Sequence, residues 1–373
     1  MFGGDGGRCG VSRHISHLCE TLQNRVHLTV VSDVNTGGFD DIARFDTRHV
    51  EVAGLRSGLS LRRMWRAFWG SVNVARGEAW DIIWLHARMP ALLMRVALAL
   101  RILRPPPGTR IMMSYHGVPF DPGHRRVLAV LSRWIEQILL RCCPAMHLVF
   151  LSEDMVLRLA GGVGRAALCR HRIHVLPNSS NLGEPAVPVR ARNTRNLVIT
   201  GRAGYQKNYA LAARLMEHLP PDHVLTLCGM GTDDPAFQAR ILSPLRADTR
   251  ARIVFAGPLD DVRPMLAAAD CYILTSRYEG LPIGAIEAFE TGLPLVLSPF
   301  EAAAEMVAAH PLAMVLPMRD LARDARRITR LIDEYLSDRT GHSARIRAAW
   351  RRKYPYEVWQ NRVCHLVKQV SSD

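Results

Sequence analysis

Lysine is almost absent from this 373-residue sequence: Lys207, Lys353 and Lys368 stand among 48 basic residues, and the rest are arginine. Such a bias follows genome composition as readily as function, but it draws attention to each lysine that is kept. Long apolar runs are lacking too. None reaches the ~18 uncharged residues that a membrane-spanning helix needs, and the longest candidate, residues 91–103, is interrupted by Arg95 and Arg101. The opening Met-Phe-Gly-Gly-Asp has no basic region followed by an apolar core, so a secretory signal is not expected. The eight cysteines form no Cys-x-x-Cys pair, which argues against disulfide staples and a structural zinc site. There is no internal repeat, low-complexity tract, Gly-x-Ser-x-Gly elbow, or His-x-x-x-His or Asp-x-Asp spacing. The sequence therefore calls for no metal and no cofactor.

Present instead is a composition of folded proteins, 48% hydrophobic and 22% charged, long enough for two domains. The charge is uneven. The first 180 residues carry 23 arginines, no lysine and 13 acidic residues, an excess of +10, while the remainder adds only +4. A basic face attracts nucleic acid, anionic lipid or phosphorylated substrates, and charge alone does not choose among them. Ten strand-length apolar runs alternate with helical patterns: 26–32, 82–86, 110–115, 147–151, 173–176, 197–200, 224–228, 252–255, 271–275 and 295–298. That alternation predicts an α/β chain with two doubly wound parallel sheets, whose ligands bind beyond the carboxyl ends of the strands. Pro, Asn, Ser and Gly cluster after Leu176. We expect a first domain over 1–176, a hinge over 177–193 and a second domain over 194–350. A last helix over 351–373 has the option of returning to the first domain.

The strongest chemical signal is Ser276-Arg277-Tyr278-Glu279-Gly280-Leu281-Pro282-Ile283, followed by Glu287. A strand ends, a glycine turn follows, and Pro282 suits the first turn of a helix. Free amides and the positive dipole end of such a helix form a phosphate site. Carboxylates repel phosphates, so Glu279 and Glu287 suit sugar hydroxyls. Read on physics alone, two solvated helix charges are an equal alternative.

Glu279-x7-Glu287 resembles the Glu-x7-Glu signature of retaining GT-B glycosyltransferases, particularly glycosyltransferase family 4. Gly201-Arg202 with Gln206-Lys207-Asn208, Cys228-Gly229-Met230-Gly231, Phe255-Ala256-Gly257, Ala269-Asp270 and Leu176-Pro177-Asn178 resemble other motifs of that family, in order. The resemblance implies a GT-B fold, two Rossmann-like domains facing a central cleft. It implies transfer of a hexose from a nucleotide-sugar donor with retention of configuration. Arg202 and Lys207 would stabilise the leaving diphosphate without a metal, by a planar fork and a point charge. Glu279 would contact the transferred sugar and Glu287 the ribose, while the amides of Gly280, Leu281 and Ile283 would face the phosphates. Gly201 and Gly229 belong to the same donor site. Glu279 and Lys207 are expected to be polar loop residues whose loss leaves folding largely intact.

The first domain matches less closely. Gly10-Val11-Ser12-Arg13-His14-Ile15 resembles the family's glycine-rich opening, with Cys9 and Ser12 replacing its glycine and glutamate. Gly10 would let a diphosphate approach the backbone. The family's preceding strand has only Met1 and Phe2 to form it, so the first strand is expected to be missing and the true start to lie upstream. His116 in Ser-Tyr-His-Gly resembles a strand-end histidine facing the donor sugar, and His86 is a weaker candidate near the acceptor. Residues 59–69 and 124–140 read as basic amphipathic helices suited to an anionic membrane. The expected partners are a nucleotide sugar, a lipid-linked or oligosaccharide acceptor, and the inner face of the plasma membrane, touched peripherally from the cytoplasm. Bacterial surface polysaccharide or lipopolysaccharide assembly is the expected setting. A GT-B epimerase or phosphorylase is the alternative enzyme. A basic nucleic-acid-binding protein is the alternative from another class, although no such module is visible.

Overall fold

The computed structural model describes residues 1–56, 60–184, 186 and 194–373. Residues 185 and 187–193 of the expected hinge lie outside the described residues, as does Leu59 at the start of the first basic segment. The chain divides into two compact units, Met1–Asn178 with Glu357–Asp373, and Ser179–Tyr356.

The first unit is built on seven strands: β1 (Phe2–Gly4), β2 (Leu28–Ser32), β3 (Thr47–Glu51), β4 (Ile82–Leu85), β5 (Arg110–Tyr115), β6 (His147–Phe150) and β7 (Arg172–Val175). Their order is β3-β2-β1-β4-β5-β6-β7, every pairing parallel. Helices on the connections bury both faces of such a sheet, which is why β6 is buried along its whole length. The expected gap at the centre is not there. Phe2 pairs with Val31 on one side and Leu85 on the other, so three residues supply the strand that the sequence reading found missing. Glycine makes it possible: a Cβ at Gly3 would lie 2.8 Å from Ile15, and one at Gly4, where φ is +80°, 2.5 Å from the Ala87 Cβ.

The second unit carries β8 (Arg195–Thr200), β9 (His223–Cys228), β10 (Ile253–Gly257), β11 (Cys271–Leu274), β12 (Leu295–Leu297) and β13 (Ala313–Val315). The order is β10-β9-β8-β11-β12-β13, again all parallel. Strands β8 and β11 are neighbours although 70 residues separate them in sequence, and this adjacency builds the site. Asp270, fully buried at the entry of β11, accepts from the Asn196 amide at 2.8 Å and from Arg339 at 2.5 Å. Those two contacts give the Ala-Asp motif a structural reason: it ties β11 to β8 and to the helix Arg339–Lys353.

The helix Tyr356–Ser372 packs within the first unit. Trp359 meets the His14 ring edge-on at 5.8 Å, and Asp373 pairs with Arg172. In the second unit Glu290 accepts from the amides of Leu182 and Gly183 at 2.9 and 3.3 Å, pinning the incoming chain to the helix Ile283–Thr291.

Candidate active site

Two loops meet at the carboxyl ends of β8 and β11. The first runs from Gly201 to Asn208, the second from Thr275 to Pro282. Arg277 fastens them: its amide donates to Gln206 O at 2.8 Å, its guanidinium donates to Asn208 Oδ1 at 2.8 Å, and it covers the Tyr205 ring at 4.5 Å. Thr275 Oγ1 donates to Lys207 O at 3.1 Å and Asn208 O at 3.3 Å. Asn208 starts the helix Tyr209–Leu215 in a left-handed conformation, φ 52° and ψ 43°. Asparagine tolerates that region better than most side chains, which accounts for the residue type in the Lys-Asn motif.

Within this clasp Lys207 Nζ lies 2.8 Å from Glu279 Oε1. Glu279 also accepts from Ser276 Oγ at 2.8 Å and from Gln206 Nε2 at 3.0 Å. Of the two readings of Glu279, the solvated charge is set aside: Glu279 is 9% exposed and has three partners. The glycines make room for the lysine. At Gly201, φ is +146° and a Cβ would fall 2.2 Å from Lys207 Cε; at Gly229, φ is +135° and a Cβ would fall 2.1 Å from Gly201 O. Arg202 is exposed on the same loop, immediately after Gly201.

The helix Ile283–Thr291 follows, with Pro282 as its N-cap, one position earlier than the sequence pattern suggests. A helix start leaves amides without intrahelical partners, those of Ile283 and Gly284 here, and directs its positive end at the same loops. Gly280, Leu281 and Ile283 are all buried around this tip. Glu287, in the second turn, is 4% exposed rather than solvated. Burial, and then the charges of Glu287 and Glu279, push the Tyr272 phenol well up, so both carboxylates lie within electrostatic reach of one hydroxyl. That hydroxyl lies 2.9 Å from Thr200 Oγ1, and Gly284 lets both approach the helix. Gln206 and Ser276, which hold Glu279, lie inside motifs quoted in the sequence reading but were given no role there. Gln206 reaches Glu279 because β8 and β11 are neighbours, whereas Ser276, three residues from Glu279, acts within its own loop.

In the first unit the glycines of the opening loop divide. Gly3, Gly4 and Gly6 press on neighbouring chain, whereas a Cβ at Gly10 would meet nothing within 4 Å. Ser12, where the family has glutamate, caps the helix Gly10–Leu22 by accepting from the Cys9 amide at 2.9 Å. His86 follows β4 and His116 follows β5, and both meet His14 from that helix, at ring separations of 5.5 and 5.0 Å. Burial pushes the His116 imidazole down to about 4, and burial also pushes His14 and His86 well below the ordinary imidazole range.

A pair of parallel-sheet Rossmann-like units, one carrying a cation, two buried carboxylates and a helix tip at its strand ends, defines the GT-B glycosyltransferase class. Residues 9–183 match the family described as Glycosyltransferase Family 4, and residues 194–334 match Glycosyl transferases group 1. The chain belongs to this family of glycosyltransferases. It is 23% identical over 305 residues to the Escherichia coli UDP-Gal:alpha-D-GlcNAc-diphosphoundecaprenol alpha-1,3-galactosyltransferase, covering 78% of this chain and 76% of the relative. It is 28% identical over 143 residues to the lipopolysaccharide core biosynthesis mannosyltransferase LpcC of Rhizobium leguminosarum, covering 37% and 40%. Its fold is similar to sucrose-phosphate synthase from Thermosynechococcus elongatus, with a TM-score of 0.80, 17% identity, and 100% and 98% of the two chains covered. It is also similar to Anabaena HepE in complex with UDP-glucose, with a TM-score of 0.77, 14% identity, and 99% and 98% covered.

Proposed function

We propose that this glycosyltransferase moves a hexose from a nucleotide diphosphate donor, with retention of configuration, to a lipid-linked or oligosaccharide acceptor in bacterial surface-glycan assembly. The observation that carries the reading is the Lys207–Glu279 pair, 2.8 Å apart and held beside the start of the helix Ile283–Thr291. Negative charge grows on the diphosphate as the glycosidic bond breaks. Lys207, Arg202 and the amides of the helix tip meet that charge at positions fixed before the reaction, which is where electrostatic stabilisation is most effective. Glu279 turns its acceptor oxygens toward sugar hydroxyls, and the buried Glu287 does the same for the ribose. With the leaving phosphate held in this way, the acceptor hydroxyl attacks from the face it leaves and passes its proton to a phosphate oxygen. The role needs no metal at the diphosphate, because two side-chain cations and a helix dipole supply the charge. The E. coli relative, which acts on a diphosphoundecaprenol-linked sugar, supports a lipid-linked acceptor, and both curated relatives described above favour transfer over epimerisation.

A membrane-surface setting is part of the proposal. No helix among the described residues is long and apolar enough to cross a bilayer. The helix Arg126–Cys142 instead exposes Val127, Leu128, Leu131, Trp134 and Ile138 beside Arg126 and Arg133, a combination suited to the headgroup layer.

The test is direct. Thermal melts with UDP-, GDP- and ADP-hexoses identify the donor, because a ligand bound only by the native state raises the melting temperature. The product formed with that donor is then read for anomeric configuration by NMR. An α-donor should give an α-linked product; a β-linked product would overturn retention, and sugar interconversion without an acceptor would establish the epimerase.

A further inference from the structure

We propose that His14, His86 and His116 form a binding site for a divalent d-block cation of the zinc class in the first unit. The three come from positions too far apart for any sequence motif, and β1, β4 and β5, which lie side by side, bring them together. His14 projects from the helix after β1, and His86 and His116 are the residues directly after β4 and β5. One ligand nitrogen from each lies within 4.8 Å of the others, the one such group of three among the described residues.

Burial makes the cluster costly without a ligand. His14 and His86 are 3% and 2% exposed. A neutral imidazole always carries one N–H and one lone pair, yet neither ring nitrogen of His86 has a hydrogen-bond partner in the protein, and neither has His116 Nε2. Each such group gives up its hydrogen bonds to water on burial and gains none in return. Of the three, His14 has a side-chain hydrogen bond with Asn178, and packing holds the other two rings in place without satisfying those nitrogens. Trp84 lies against His86 at 4.7 Å and is itself fixed by donating to Ser114 Oγ at 2.8 Å, while Trp359 closes over His14.

The geometry fits an ion. Zinc–imidazole bonds of about 2.0–2.1 Å place tetrahedral nitrogens about 3.4 Å apart, so each ring nitrogen moves inward by no more than about 0.8 Å. Three imidazoles and no thiolate or carboxylate suit zinc, cobalt or nickel over calcium or magnesium. The imidazoles leave the ion its full +2 charge and a fourth position, which water or an anionic oxygen takes. His116 then holds the ion, in place of touching the donor sugar. The inference does not rest on the Lys207–Glu279 pair, which belongs to the second unit.

The experiment uses the tag-free full chain, stripped with chelator and dialysed, then loaded with Zn2+ or Co2+ in the absence of any nucleotide sugar. The expected result is about one Zn2+ retained per chain and visible d–d absorption from the Co2+ form. Loss of a direct ligand should exceed the 10–100-fold cost typical of outer partners. We therefore expect His14→Gln and His86→Gln each to weaken Zn2+ binding by at least about 100-fold. Should a buried variant fail to fold, His116→Gln, at the more exposed corner, reads the same loss. Retention below a tenth of an equivalent with a colourless Co2+ sample overturns the proposal and leaves a cluster filled by water. So does undiminished affinity in the folded variants.

Discussion

Lys207 holds Glu279 in place, and the proposed function gives it the second task of receiving phosphate charge. Lys207→Met removes the cation but keeps much of the stem that Gly201 accommodates. We expect kcat/KM to fall about 10²–10³-fold, the cost of one preorganised donor at a developing oxyanion. Stability should fall by only ~1–3 kcal/mol, because Ser276 and Gln206 still donate to Glu279. Steady-state kinetics and a denaturant titration on the same variant separate the two effects. His310 offers a different single-residue test. Its Nε2–H donates to Leu293 O at 3.0 Å and its Nδ1 accepts from the Leu312 amide at 3.0 Å, so the buried ring fits only as the neutral form. Burial pushes its pKa down to about 3. Below pH 6.5 the unfolded chain takes up a proton that the folded ring refuses. The contribution to stability is thus complete above that pH and declines as pH falls toward 3, by about 1.4 kcal/mol per unit. Urea titrations between pH 7 and 4 should show the decline, and His310→Asn should flatten part of it.

At the scale of elements, the helix Arg126–Cys142 explains itself through one buried contact. Arg95, in the run that looked like an interrupted apolar segment, is 2% exposed and grips Glu136 with two hydrogen bonds of 2.7 Å. The Tyr115 hydroxyl donates to the same carboxylate at 3.0 Å, and although burial pushes the Glu136 pKa up, Arg95 holds it below the ordinary carboxylate range. The helix is anchored by a charge, and its outer apolar side is left free. Glu136→Ala should cost ~3–5 kcal/mol, the penalty for stranding a buried cation, measurable as a shift in the denaturation midpoint. How far the sequence discloses these elements depends on how local their causes are. All ten apolar runs sit on strands, because parallel strands buried on both faces must be continuously apolar. β1, β3 and β13 were illegible: Phe-Gly-Gly lacks strand propensity, Thr-Arg-His-Val-Glu is a polar edge, and Ala-Met-Val is three residues long. The residues proposed for the phosphate side were legible because loop and helix tip are adjacent in sequence. The Gln206–Glu279 contact, the Arg95–Glu136 pair and the histidine triad were not, since each depends on which elements the sheet brings together.

For the whole molecule, net charge and exposed aromatics point to one behaviour. The chain carries +14, mostly in the first 180 residues, and Trp65 and Trp134 are 66% and 59% exposed. Flotation with vesicles containing anionic lipid should recover the protein at low ionic strength and lose it progressively as salt screens the arginines. Leu131→Ser with Trp134→Ser should weaken recovery at every salt concentration, since it removes apolar area and leaves the charge. Connectivity carries a further consequence. The first unit is made from both ends of the chain, and the second is one uninterrupted segment. During synthesis, the second unit is therefore fully extruded from the ribosome before the first receives its closing helix. A chain cut after Tyr356 should still bind nucleotide through its intact second unit, while its first unit, deprived of Trp359, becomes the early target of a protease.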